Sequence, residues 1–186
     1  MTISRDRWQL HLKTRGLYYH DQAKKFEAMH AAHPEVGANI AALALHSLAE
    51  VMEKCRAARL TRHQHILLRI GEWIAYAECA GSLARRAALA AEGKLNEKAS
   101  ARFDATALAA LARIFARDAA LKVVQDGLRW VIGADGVTGD NIAALEASSG
   151  LSAVLRAQAG QLADMDYVAD VIYSRVKKEA EQPVLV

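Results

Sequence analysis

Apolar residues recurring at steps of three and four along three long stretches constrain this chain more than any other feature. From about 35 to 57 the run is Ile40, Leu43, Leu48, Val51 and Met52. Over the stretch that ends near Gly93 it is Ile66, Leu67, Ile70, Ile74, Ala77 and Leu83. From Asn96 onward it continues through Phe103, Leu108, Leu111, Ile114, Phe115, Leu121, Val124, Leu128 and Val131. That spacing puts the apolar side chains of each stretch on one side of a helix and leaves them in need of a partner surface. Ala and Leu supply most of the apolar residues while Pro, Phe and Trp are scarce, so intrinsic propensity points the same way.

The ends of these stretches carry matching signals. Pro34 suits a first helical turn and Glu35 suits its positive end, whereas Gly37 weakens the start slightly. Gly93 reads as a C-cap and Asn96 as a plausible N-cap, and the Gly133, Gly136 and Gly139 cluster closes the third helix. Asp140 can cap a short helix over 141–148; Gly150 interrupts it, and a last helix is expected from Leu151 to about Glu179. Residues 1–33 read as an irregular or short-helical lead-in, 34–180 as a helical bundle domain and 181–186 as a loose tail after Pro183. Long amphipathic helices on short connections pack most economically as antiparallel neighbours. The expected fold is therefore all-α, an antiparallel up-and-down bundle of four or five helices in one domain.

Charge and composition exclude several roles. The net charge of +3 arises mainly from the amino-terminal stretch, which is far from the basic stripe of a nucleic-acid binder. Charged residues interrupt every apolar run before the ~20 residues that a bilayer span requires. Cys55 and Cys79, in a chain without a signal-peptide pattern, read as reduced, buried thiols in a cytoplasmic setting.

Individual motifs favour packing over chemistry. Glu27 and His30 form a Glu-x-x-His pair, the spacing with which bundle helices aim ligands at a metal, but Glu50, Glu53, Glu72 and Glu78 lack a matching histidine. His63 and His65 point to different helix faces, and His30 and His33 lack an accompanying ligand set. All seven histidines precede residue 66. Trp73 and Tyr76, one turn apart, read as core or interface packing, and Trp8, Tyr18 and Tyr19 offer further contact anchors in the lead-in. Arg85 and Arg86, like Arg113 and Arg117, can pair with Asp118 or Glu92; the second pair has the one-turn spacing that clamps an anion. The "GADGVTGD" segment reads as a turn, since no strand precedes it and no Lys-Ser or Lys-Thr follows, and Ser148 and Ser149 lack a nucleophile's setting.

Taken in order, "AHPEVGANIAALALHSLAEVMEKC", "RAARLTRHQHILLRIGEWIAYAECAGSLARRAALAAEG" and "FDATALAALARIFARDAALKVVQDGLRWV" resemble the extra carboxy-terminal helical domain of the large acyl-CoA dehydrogenases of the very-long-chain type. The corresponding elements are a His-Pro-Glu helix start at His33 to Glu35, a basic hinge at Arg56 to Arg62, a Ser-Arg-Ala-like segment with Glu-Gly at Ser82 to Gly93, and the Ala-Arg pair Ala116 and Arg117.

The resemblance implies a noncatalytic extension of a flavin-dependent enzyme of fatty acyl-CoA oxidation. FAD is expected in the parent and no cofactor in this chain, because the catalytic glutamate motif and the flavin-contacting segments have no counterpart here. Expected partners are the catalytic core or a second copy, with membrane-surface contact as a further role and no nucleic acid. The competing expectation is an autonomous bundle, either a ferritin-like metal protein with Glu27 and His30 turned inward or a partner-binding scaffold. The extension predicts exposed apolar patches where the remainder of the enzyme or a second copy would sit, the metal bundle predicts inward-facing Glu and His, and the scaffold differs from the extension mainly in what it touches.

Overall fold

The computed structural model describes residues 2–96 and 103–175. Among these residues the chain is all-helical, with no strand. Its α-helices are α1 (Thr2–Thr14), α2 (Leu17–Ala32), α3 (Ala38–Ala57), α4 (Gln64–Ala91), α5 (Ala105–Gly133), α6 (Asn141–Ser148), α7 (Leu151–Arg156) and α8 (Gln161–Ile172). Short 3-10 turns at Pro34–Val36 and Leu60–Arg62 lead into α3 and α4. No helix among the described residues is long and apolar enough to cross a membrane.

Helix α3 lies at the centre, with buried residues around most of its circumference, from Ile40 and Leu45 to Val51, Met52 and Cys55. Its neighbours are α2, α4 and α5. Side-chain pairings give the directions. On α4 and α5, His65 meets Trp130, Glu72 meets Lys122 and Tyr76 meets Phe115, so these two helices run antiparallel. Between α3 and α5, Gly37 sits against Arg113 and Val51 against Gly127, so these run parallel. The short turn between α3 and α4 reverses the chain in the same way.

Small residues allow this closeness. A Cβ on Gly127 would lie 2.5 Å from a Val51 methyl, and one on Gly81 would run into the Phe26 ring. Alanines such as Ala41, Ala44, Ala77, Ala112, Ala116 and Ala120 are fully or almost fully buried between the helices. Backbones that approach so closely gain many dispersion contacts from small side chains.

Several boundaries differ from expectation. The Pro34–Val36 turn stops at Gly37, whose φ of 72° suits glycine and where an added Cβ would lie 2.9 Å from Arg113 Cγ, and α3 begins after it. Asp104 caps α5 by accepting from the Ala107 N–H at 2.8 Å. The residues directly after the expected Asn96 cap, 97–102, lie outside the described residues. The helix expected from Leu151 to Glu179 is divided in two, because Gly160 takes φ 82° between α7 and α8. Its expected end beyond 175 and the tail 181–186 lie outside the described residues.

The lead-in forms two helices, and α2 buries Tyr19, Ala23 and Phe26 against the bundle. Its helical period was hidden because the side chains facing α3 include His20 and Glu27, which pair with Glu50 and His46. Polar groups satisfied across a helix pair break a hydrophobic pattern without breaking the helix.

Candidate functional site

Arg113 and Arg117 do clamp an anion, and the anion is internal. Both guanidinium groups bond the Asp164 carboxylate on α8, with Arg113 Nε donating at 2.9 Å. Arg117 is 6% exposed, and its other donors go to Ala157 O at 2.8 Å and Ala159 O at 2.9 Å. Those carbonyls follow the end of α7, where a cation also meets the negative end of the helix. Arg113 additionally donates to Glu35 O, and Gln158 bonds back to Arg117 O at 3.3 Å. Burial pushes the Asp164 carboxyl up, but the two arginines outweigh it, and its pKa lies below the ordinary aspartate value.

This junction determines what α8 shows to solvent. Asp164 and Val168 turn toward the bundle. On α8 Leu162 is 70% exposed, Met165 and Ile172, which flank the Val168 face, are also exposed, Tyr173 follows at 68%, and Leu155 on α7 is half exposed. Leu162, Met165 and Ile172 recur at helical spacing, so they form a stripe rather than scattered contacts. The stripe is flanked by Asp166 and Asp170, which are exposed. This short helix is tied to α5 through Asp164 and through Gln161, which donates to Asp118 at 3.2 Å, and it leaves apolar side chains exposed.

The aromatic anchors divide by burial. Tyr19 and Trp73 have no exposure, which corrects their assignment to an interface: both are packed inside the chain. Tyr19 donates to Glu78 at 3.1 Å, and Arg7 Nε lies 2.7 Å from the same carboxylate. Burial, reinforced by Glu78, pushes the Tyr19 phenol well above its usual range. The Trp73 indole N–H is buried without a hydrogen-bond partner. Tyr76 stacks on Phe115 with centroids 5.8 Å apart and Lys122 over its ring; Trp8 stacks on His11, and Tyr18 packs edge-on to Tyr19. Trp8, Tyr18 and Tyr76 each keep partial exposure.

The histidines do not converge as the Glu-x-x-His spacing suggested. Glu27 pairs with His46 at 3.1 Å, while the buried Nδ1 of His30 makes no hydrogen bond. His33 bonds Glu92 at 2.9 Å and lies 3.6 Å from Glu35. His63 and His65 are exposed, and His65 lies edge-on to Trp130. Among the described residues no group of three or more His, Cys, Asp or Glu is placed to hold a metal ion.

Arg85 lies over the Phe26 ring at 4.7 Å. The thiols are free; Cys55 is buried, but Cys79 is exposed, which corrects the expectation that both are buried. Ser148 and Ser149 donate to Leu145 O and Glu146 O within their own turn.

Sequence reasoning found the arginine pair but missed Asp164 and the outer face of α8. A signal was present: between 161 and 173 apolar residues occupy more of the wheel than one buried face needs. Compared with protein-family models, curated proteins and solved structures, the chain matches none of them.

Proposed function

We propose that this chain is a noncatalytic helical docking module, an extension of the type that resembles the carboxy-terminal domain of very-long-chain acyl-CoA dehydrogenases. Its partner is the flavin-bearing catalytic core of such an enzyme. The observation that carries the reading is the set of exposed apolar side chains Leu162, Met165, Ile172 and Tyr173 on and just after α8, the helix that the Arg113–Arg117–Asp164 junction anchors to the bundle. Apolar stripes of this kind fit a covering surface better than solvent.

A second observation supports the same reading. Three elements of the resemblance meet at one end of the bundle: His33 bonds Glu92, Glu35 O accepts from Arg113, and Arg117 ties that end to α8. Residues that carry the resemblance are thus architectural, as befits a module whose chemistry resides elsewhere.

The test uses purified full-length chain and a very-long-chain-type dehydrogenase core lacking its own extension, followed by sedimentation. The chain alone should be colourless and unable to reduce an electron acceptor with acyl-CoA, and it should bind the core. Leu162→Glu with Met165→Glu should abolish that binding while changing stability by no more than about 0.5 kcal/mol, because both sites are exposed. A flavin spectrum from the chain, or core binding indifferent to the double substitution, would overturn the proposal.

A further inference from the structure

His20 on α2 and His46 on α3 face each other through the same ring atom. Their Nδ1 atoms are 2.7 Å apart, and their Nε2 atoms point away to carboxylates: His46 to Glu27 at 3.1 Å and His20 to Glu50 at 3.4 Å. If both Nε2 atoms carry protons and donate to these carboxylates, two bare lone pairs meet between the rings. If one Nδ1 carries the proton instead, its ring turns an unprotonated Nε2 toward a carboxylate. Neither neutral arrangement satisfies all four groups, and the conflict disappears when a cation lies between the two Nδ1 atoms.

We propose that this pair is a binding site for a divalent transition-metal ion, with His20 and His46 as its protein ligands and Glu27 and Glu50 as carboxylates that orient them. Imidazole nitrogen suits zinc, copper and nickel, and a ligating histidine characteristically donates its other ring N–H to a carboxylate. Zinc–nitrogen bonds of about 2.0–2.1 Å at a tetrahedral angle require the nitrogens about 3.3 Å apart. The rings must therefore separate by a little over half an ångström from their present 2.7 Å. Both side chains are about 30% exposed, so they have room to turn and water can fill the remaining positions. With only two protein ligands the site differs from the inward-facing carboxylate centres of metal bundles, and it does not depend on the docking role of α8.

The neighbouring charges are mixed, with Lys24 and Asp21 beside His20 and the His11–Glu53 contact further along α3. The ion is therefore held by the two imidazoles and their carboxylates rather than by a general excess of negative charge.

The test is calorimetric titration of the untagged full chain with Zn2+ at neutral pH. One equivalent is expected, weakened at least tenfold by His20→Gln and by His46→Gln, weakened less by Glu27→Gln, and unchanged by His63→Gln with His65→Gln. On the unsubstituted protein, Zn2+ should shift the His20 and His46 imidazole resonances before those of the other histidines, a readout independent of how the variants fold. No binding by the unsubstituted chain, or the same affinity in His20→Gln and His46→Gln, would overturn the proposal. So would a shift confined to other histidines.

Discussion

Replacing Asp164 by alanine removes the one carboxylate that, among the described residues, pairs with both Arg113 and Arg117. Arg117, at 7% side-chain exposure, would keep Ala157 O and Ala159 O but lose its counter-charge. Arg113, at 25%, can recover some water. Breaking a buried pair by deleting one partner costs about 3–5 kcal/mol, and the retained carbonyls and partial exposure reduce this to about 2–4 kcal/mol. With a urea dependence of about 3 kcal/mol per molar for a chain of this size, the unfolding midpoint should fall by about 1 M.

Acid should erase the difference. The Asp164 pKa is depressed on folding, so its contribution is complete above the unfolded value of about 3.9 and is lost as pH falls through the lower folded value. The two stability curves should therefore be separated near neutrality and converge in strong acid. Hydrogen exchange should locate the weakening in α7 and α8, which the clamp ties to α5. A variant midpoint within about 0.2 M of the unsubstituted chain would refute the anchor's energetic role.

Gly127→Ala should lower stability by about 1–3 kcal/mol, because its methyl would enter space held by Val51; thermal melts should show partial rescue by Val51→Ala. In the native protein a thiol reagent should modify Cys79 alone, with Cys55 reacting only after unfolding, since burial pushes the Cys55 thiol up to about 12. His11 is wholly buried, and its Nε2 is within ion-pair reach of Glu53 at 3.5 Å without forming a hydrogen bond. Burial lowers its pKa more than Glu53 raises it, so the unfolded chain takes up protons first as pH falls below about 6.5 and the fold is weakened. The loss of stability between pH 7 and 5, followed by urea unfolding, should be smaller in His11→Phe, with part of it persisting because burial lowers His20 in the same direction.

How much was legible varied with the kind of contact. The long helices were readable because their inner faces are almost wholly apolar, as in Ile66, Ile70, Trp73 and Ile74 along α4. Helix α2 was obscured because it meets α3 partly through imidazoles and carboxylates. Arg113 and Arg117 announced an anion clamp by their spacing, yet the aspartate that fills it lies 51 and 47 residues further along the chain. Trp73 and Tyr76 looked equivalent on a helical wheel, but only Trp73 has no solvent exposure, while Tyr76 rests partly exposed against Phe115.

By itself, then, the order of residues determined which segments coil and which side of each long helix seeks cover, because those properties depend on neighbours three and four positions away. Tertiary structure decided which charges meet, that the carboxylate of α8 turns inward while its leucine and methionine stay exposed, and that two histidines from separate helices share one point in space. These outcomes depend on distances between segments far apart in the chain, and a local period carries no information about them.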